Sequence, residues 1–136
     1  MVKHVDLHVA PLKNVMENTR FMYKGIEIDQ SKKDFAEDYI LKRLEVLDRM
    51  LEKITKVDVE INQDKRGMYR VEMMIHTPRN MFRSQEVSES IEGSADIAVD
   101  ELKTQVRRRK DKIMTKIIRG ARSIRKKMSI DKDARF

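Results

Sequence analysis

The sequence predicts an α+β fold, a four-stranded mixed sheet with two helices packed on one face, in the order β-α-β-β-β-α. Three patterns carry that prediction. Residues 55–62 and 68–76 alternate between apolar and polar, which buries one sheet face and wets the other. Ala36, Ile40, Leu44, Leu47, Leu51 and Ile54 recur at steps of three and four, as one face of a helix does. Ala95, Ala98, Leu102, Val106, Ile113 and Ile117 form a second such series, set inside a run of Lys and Arg.

Taken in order, residues 1–19 read as an N-terminal extension. Val5, Leu7 and Val9 alternate with His4, Asp6 and His8 like a short strand, and Pro11 interrupts it. His4 and His8 also have the spacing of a helical metal pair. The alternation is not helical and no third ligand is apparent, so no metal is expected there. Leu12–Arg20 reads as loop or a weak helical turn. Phe21-Met22-Tyr23, then Ile26 and Ile28, predict a first strand, with Gly25 as a bulge or kink. Asp29 and Ser31 can each cap the helix that follows, and Ser31 with Asp34 resembles a capping box.

That helix extends to about Lys53, roughly 35 Å at 1.5 Å per residue, long enough to cross a small sheet. Val57, Val59 and Ile61 mark the second strand; Tyr69, Val71, Met73 and Ile75 mark the third. Gln63–Gly67 joins them as a hairpin loop, with Gly67 free to take positive φ. Pro78 closes the third strand, because it cannot donate to a ladder, and Met81–Val87 forms the fourth. Met22, Met73 and Met81 read as core filler. The first β-α-β step implies a parallel pair and the later hairpins antiparallel ones. Residues 20–118 are thus expected to form one domain. The second helix is expected to stop near Gly120, leaving residues 119–136 as a basic tail.

Charge narrows the function. The chain has 136 residues and a formal charge of +7, with 40% hydrophobic and 39% charged residues. Twelve bases lie between Lys103 and Lys127, with Asp111 the only acid among them. A helix charged in one sense repels itself unless a polyanion screens it, so nucleic acid is the expected partner. The absence of cysteine excludes disulfides and thiolate chemistry. No apolar run approaches the ~18 residues of a membrane span, and the N-terminus lacks a signal-peptide core, so the expected location is cytoplasmic.

At these residues the sequence resembles the ribosome hibernation-promoting factors, also called ribosome-associated inhibitors, over about Phe21 to Lys116. Glu37–Leu44 looks like the family's first-helix pattern, and Ile54–Val59 like its second strand. Tyr69–Glu72 with Ile75–Pro78 is similar to the third strand, and Phe82–Glu86 to the fourth. Ala95–Arg108 is similar to the second helix. The specificity lies in the order of these segments, since none is decisive alone. The resemblance implies the same β-α-β-β-β-α fold and a protein that is not an enzyme. It implies a factor of stress and stationary phase that binds the small ribosomal subunit in the mRNA and tRNA channel, contacts its ribosomal RNA and inhibits translation. The positions matching the family's RNA-binding surface, extended along the second helix, are Lys42, Arg43, Arg83, Lys103, Arg107, Arg108, Lys110, Lys112 and Lys116.

The sequence departs from the family pattern in its nineteen-residue extension, in a longer link over Ile26–Asp34, and in lacking the separate C-terminal domain through which long members pair ribosomes. A protein that acts as a monomer on the ribosome is therefore expected.

Other classes have less support. The helix neighbours Lys103, Arg107 and Lys110 share a face, and spacings of ~5–6 Å between such neighbours suit successive phosphates. No pair of aromatics forms a stacking platform for single-stranded bases, so folded, duplex-rich RNA fits better, and a generic double-stranded RNA-binding module of similar fold is the alternative. Asp96 and Asp100 read as ion-pair partners rather than an acid–base dyad. His76 has no serine and carboxylate placed for a triad, and no glycine-rich phosphate loop is present; no cofactor is expected. A membrane-surface role is set aside because the apolar series of the second helix is needed to cover the sheet.

Overall fold

The structure is a computed structural model that describes residues 14–134, with side chains described for residue 15 and residues 17–125. The alternating stretch Val5–Val9 and the His4/His8 pair lie outside the described residues. Two compact units divide the chain, Met1–Thr104 and Gln105–Phe136. The elements are α1 (Asn14–Asn18), β1 (Thr19–Lys24), α2 (Gln30–Met50), β2 (Lys56–Gln63), β3 (Tyr69–His76), β4 (Met81–Ser88) and α3 (Ile91–Ala134). The β-α-β-β-β-α order is as expected, with the short helix α1 added before it.

The sheet runs in the order β1-β2-β3-β4. β1 pairs with β2 in parallel, and the β2–β3 and β3–β4 pairs are antiparallel. Register places Val57 opposite Ile75, Val59 opposite Met73 and Ile61 opposite Val71, all on one face and all buried. Phe82 and Ser84 of β4 continue that face, and both are buried.

Covering it are Ala36, Ile40, Leu44 and Leu47 of α2 and Ala95, Ala98, Val99 and Leu102 of α3, each no more than 1% exposed. Their periodicity is why these segments become helices where they do. A stripe every three or four residues can close over a pleated face that alternates every two. Polar anchors fix the α3 side. Ser84 Oγ donates to the Ala98 carbonyl at 2.9 Å, and Ser94 Oγ donates to the Tyr69 carbonyl at 2.6 Å.

Local chemistry sets the boundaries. Gly25, at φ 65°, ends β1 in a conformation that costs a side chain strain, so the strand stops short of Ile26 and Ile28. Asp29 is the N-cap of α2; its carboxylate accepts from the Lys32 N–H at 3.0 Å. Ser31 instead lies in the first turn and donates to Asp29 at 3.2 Å, so the capping box is not formed. In the β2–β3 turn, Asp64 Oδ1 accepts from the Arg66 and Met68 N–H groups, and Gly67 has φ 85°.

Two expectations are corrected. Met81 is 54% exposed, and Met22 pairs in register with Glu60 on the wet face, so of the three methionines only Met73 fills the core. The helix does not end at Gly120 but continues to Ala134. A Cβ at Gly120 would meet nothing within 4 Å, so no close packing requires a glycine or a turn there.

Leu44 is fully buried at the centre of the α2 stripe. Leu44→Ala is expected to cost ~2–5 kcal/mol of unfolding free energy, read from urea denaturation. A cost near zero would show that α2 turns a different face to the sheet.

Candidate nucleic-acid interface

The expected RNA-binding residues fall into three settings. Arg43 lies on α2, where its Nε is 2.8 Å from Asp96 and its guanidinium 3.4 Å from Asp100, both on α3. Tyr39, one turn earlier, donates its hydroxyl to the same Asp96 carboxylate at 2.8 Å. The Asp96 carboxylate therefore ties the two covering helices together. Lys103 also reaches Asp100, at 3.5 Å. Asp96 and Asp100 are thus ion-pair partners, as expected. Arg43, half-buried with its charge met by two carboxylates, serves first as a clamp. Lys42, the preceding residue of α2, is exposed and makes no ion pair among the described residues.

The clamp perturbs Tyr39. Its hydrogen bond to Asp96 raises the phenol above its ordinary value, and desolvation adds to this while Arg43 opposes it. Tyr23 is raised further, first by burial and then by the hydrogen bond it donates to Glu37 at 2.7 Å.

The second setting is the open face of the sheet. Arg83 projects there, opposite in sense to the inward Ser84, and its Nε donates to Glu72 at 2.7 Å. Around it runs a lattice of pairs that the sequence expectations left out. Lys24 lies 3.2 Å from Glu60, Lys56 3.4 Å from Asp58, His76 3.6 Å from Asp58, Arg20 3.7 Å from Asp58 and Arg70 3.9 Å from Glu60. Arg20, Lys24, Lys56 and Arg70 could have been found from the polar phase of the strand alternation, combined with the cross-strand register. Each has a carboxylate within 4 Å, although the four share only Asp58 and Glu60. Arg83 is therefore on the opposite side of the sheet from Lys42, Arg43 and Lys103, and the four do not form one patch.

The third setting is the second unit. Arg107, Arg108, Lys110, Lys112 and Lys116 are all exposed, and none makes an ion pair among the described residues. Arg109, Arg119, Arg122 and Arg125, outside the expected set, share that condition. Asp111 makes no ion pair there either. Exposure is continuous from Arg107 to Arg125, so Ile113 and Ile117, expected to help cover the sheet, are instead 44% and 59% exposed. The stripe is buried as far as Val106 and no further.

Little else offers chemistry. Among the described residues no group of His, Cys, Asp and Glu could hold a metal ion, and no helix is long and apolar enough to cross a membrane. An open cleft of about 510 Å³ in the first unit is lined by Ile28, Phe35, Tyr69 and Ile91, with Lys32, Glu89 and Glu92 at its polar edge.

Comparison with known proteins agrees with the fold. The model of the family described as sigma 54 modulation protein / S30EA ribosomal protein matches residues 19–114. The crystal structure of the Protein Y N-terminal domain of Thermus thermophilus is 28% identical, with a TM-score of 0.56 over 67% of this chain and 97% of that one. A ribosomal subunit interface protein from Coxiella burnetii has the same fold, with 15% identity and a TM-score of 0.54 over 69% of this chain and 98% of that one.

Because Tyr39 keeps its proton to higher pH in the fold than in the unfolded chain, its contribution to stability is complete below about pH 10 and declines above it. Tyr39→Phe is expected to flatten the fall in urea midpoint above about pH 10. An unaltered slope would place the alkaline sensitivity elsewhere, with Tyr23 the next group to replace.

Proposed function

The chain belongs to the sigma 54 modulation protein / S30EA ribosomal protein family, and we propose that it is a ribosome hibernation factor that binds RNA of the small subunit in the mRNA and tRNA channel and inhibits translation. The observation that carries the RNA contact in this reading is the unneutralised charge of residues 107–125, nine bases to one acid, all exposed and none in an ion pair among the described residues. Family membership supports the ribosome as the source of that RNA. The nine residues proposed for RNA contact do not weigh equally. Arg107, Arg108, Lys110, Lys112 and Lys116 have no acid to give up before meeting a phosphate. Lys42 is in the same position.

Arg43, Arg83 and Lys103 must exchange an existing carboxylate partner, so each gains less from RNA. No catalytic role, cofactor or metal is assigned, and the protein acts as a monomer on the ribosome in the cytoplasm. Phosphate contact is governed by counterion release, so affinity falls steeply with salt. The alternative, a double-stranded RNA-binding module without preference for ribosomes, is favoured by the same charge and is separated from the first by the partner alone.

The joint substitution Arg107→Glu, Arg108→Glu, Lys112→Glu is expected to abolish comigration with small subunits in sucrose gradients while circular dichroism stays native. Comigration at wild-type levels overturns the reading. Equal affinity of the wild type for ribosomes and for free duplex RNA favours the alternative. Deleting residues 122–136 is expected to weaken binding and to flatten its dependence on salt, because bases are removed. If both are unchanged, those residues are bystanders.

A further inference from the structure

Residues 113–124 lie almost wholly beyond the segment that the family model matches, and their side chains sort with no exception. At 3.6 residues per turn, the seven apolar residues of this stretch fall in one sector about 160° wide. Thr115, Lys116, Arg119, Arg122 and Ser123 fill the rest. Lys116 borders the apolar sector on one side and Arg122 on the other. Within it, Ile113, Met114, Ile117, Ile118 and Ile124 are each 44 to 61% exposed.

The sector resumes the phase of Ala95, Val99, Leu102 and Val106, which are buried, after a turn or two in which Arg107 and Lys110 occupy it, and nothing described covers it. Phosphate binding accounts for the basic face. It leaves the isoleucines unexplained, because polyanion contact needs none of them.

We propose that this apolar face is a docking surface for an anionic phospholipid bilayer. A helix that is polar over most of its length, with bases along both borders of one apolar sector, lies in a membrane interface. Its aliphatic side chains point down and its cationic ends stay level with the headgroups. Charge chooses among occupants. A second copy of residues 107–125 would bring two strongly basic surfaces together, with Asp111 the one acid in that stretch to offset them. A protein groove is generally read by aromatic and arginine anchors at its centre, and this sector holds only Ile, Met, Ala and Gly. An anionic bilayer asks for amphipathicity and positive charge, and no particular register. The ground for setting membranes aside, that Ile113 and Ile117 are spent on the sheet, does not hold.

The test is flotation of the full chain, freed of nucleic acid, with vesicles of phosphatidylcholine alone or with about a third phosphatidylglycerol. Binding is expected only to the anionic vesicles. The joint substitution Ile113→Gln, Ile117→Gln, Ile124→Gln leaves the charge unaltered and is expected to lower that binding at least ~10-fold. Its comigration with ribosomes should stay intact, and circular dichroism of each variant checks the fold. Three results each overturn the proposal. They are no flotation with anionic vesicles at low salt, equal flotation of the glutamine variant, and concentration-dependent self-association of the wild type that the variant loses.

Discussion

The fold depends on covering one face of the sheet. β2 and β3 carry Val57, Val59, Ile61, Val71, Met73 and Ile75 on the same side, all fully buried. At ~25 cal/mol per Å² of apolar area, such a face cannot be left in water by a domain this small. Everything else in the first unit answers to that demand. α2 must be long enough to cross the strands, Gly25 and Asp29 must turn the chain into it, and α3 must begin with small residues. Ala95 and Ala98 let its backbone approach closely enough for Ser84 to reach the Ala98 carbonyl.

The same constraint sorts the charges. Residues on the unburied face of the sheet are held in fixed register, so bases and acids there meet, mostly on diagonals between neighbouring strands. Lys24 meets Glu60, and Arg83 meets Glu72. Bases between the two covering helices are likewise taken up by Asp96 and Asp100. Past Val106 no such constraint operates. Residues 107–125 are exposed all round, and their charge is left unmatched among the described residues. Free charge is therefore found where the tertiary structure asks nothing of the side chain. That is why the best candidates for phosphate contact cluster in the second unit and not around the core.

Much of this was legible in the residues, and what was missed has identifiable causes. Strand alternation and helix stripes are local and periodic, so they place the strands and the start of each long helix to within a few residues, but not the end of the last helix. Asp29 could be seen as a cap because its carboxylate acts three residues away. The Tyr39–Asp96 bond joins residues 57 apart in sequence, and no local pattern announces it. Arg43 therefore looked like a free base. Met81 was misplaced because methionine suits core and surface alike, and only register with His76 settles its face. Gly120 suggested a helix end from its low propensity, about 1 kcal/mol against alanine. A single residue of that cost, flanked by good helix formers, does not stop a helix already nucleated.

Ile113 and Ile117 show where periodicity reaches its limit. Spacing says which residues share a face, but not whether that face has anything to cover. The stripe from Ala95 to Val106 is buried and its continuation is not, and the six charged residues from Arg107 to Lys112 mark the break between them. A helix whose apolar side is uncovered gains little from tertiary contacts, and its basic side adds self-repulsion. Both penalties lessen when an anionic surface is met, through phosphates on one side or headgroups and acyl chains on the other. The two ligands draw on different side chains of the same turns, so losing the isoleucines and losing the arginines are separable perturbations of one element.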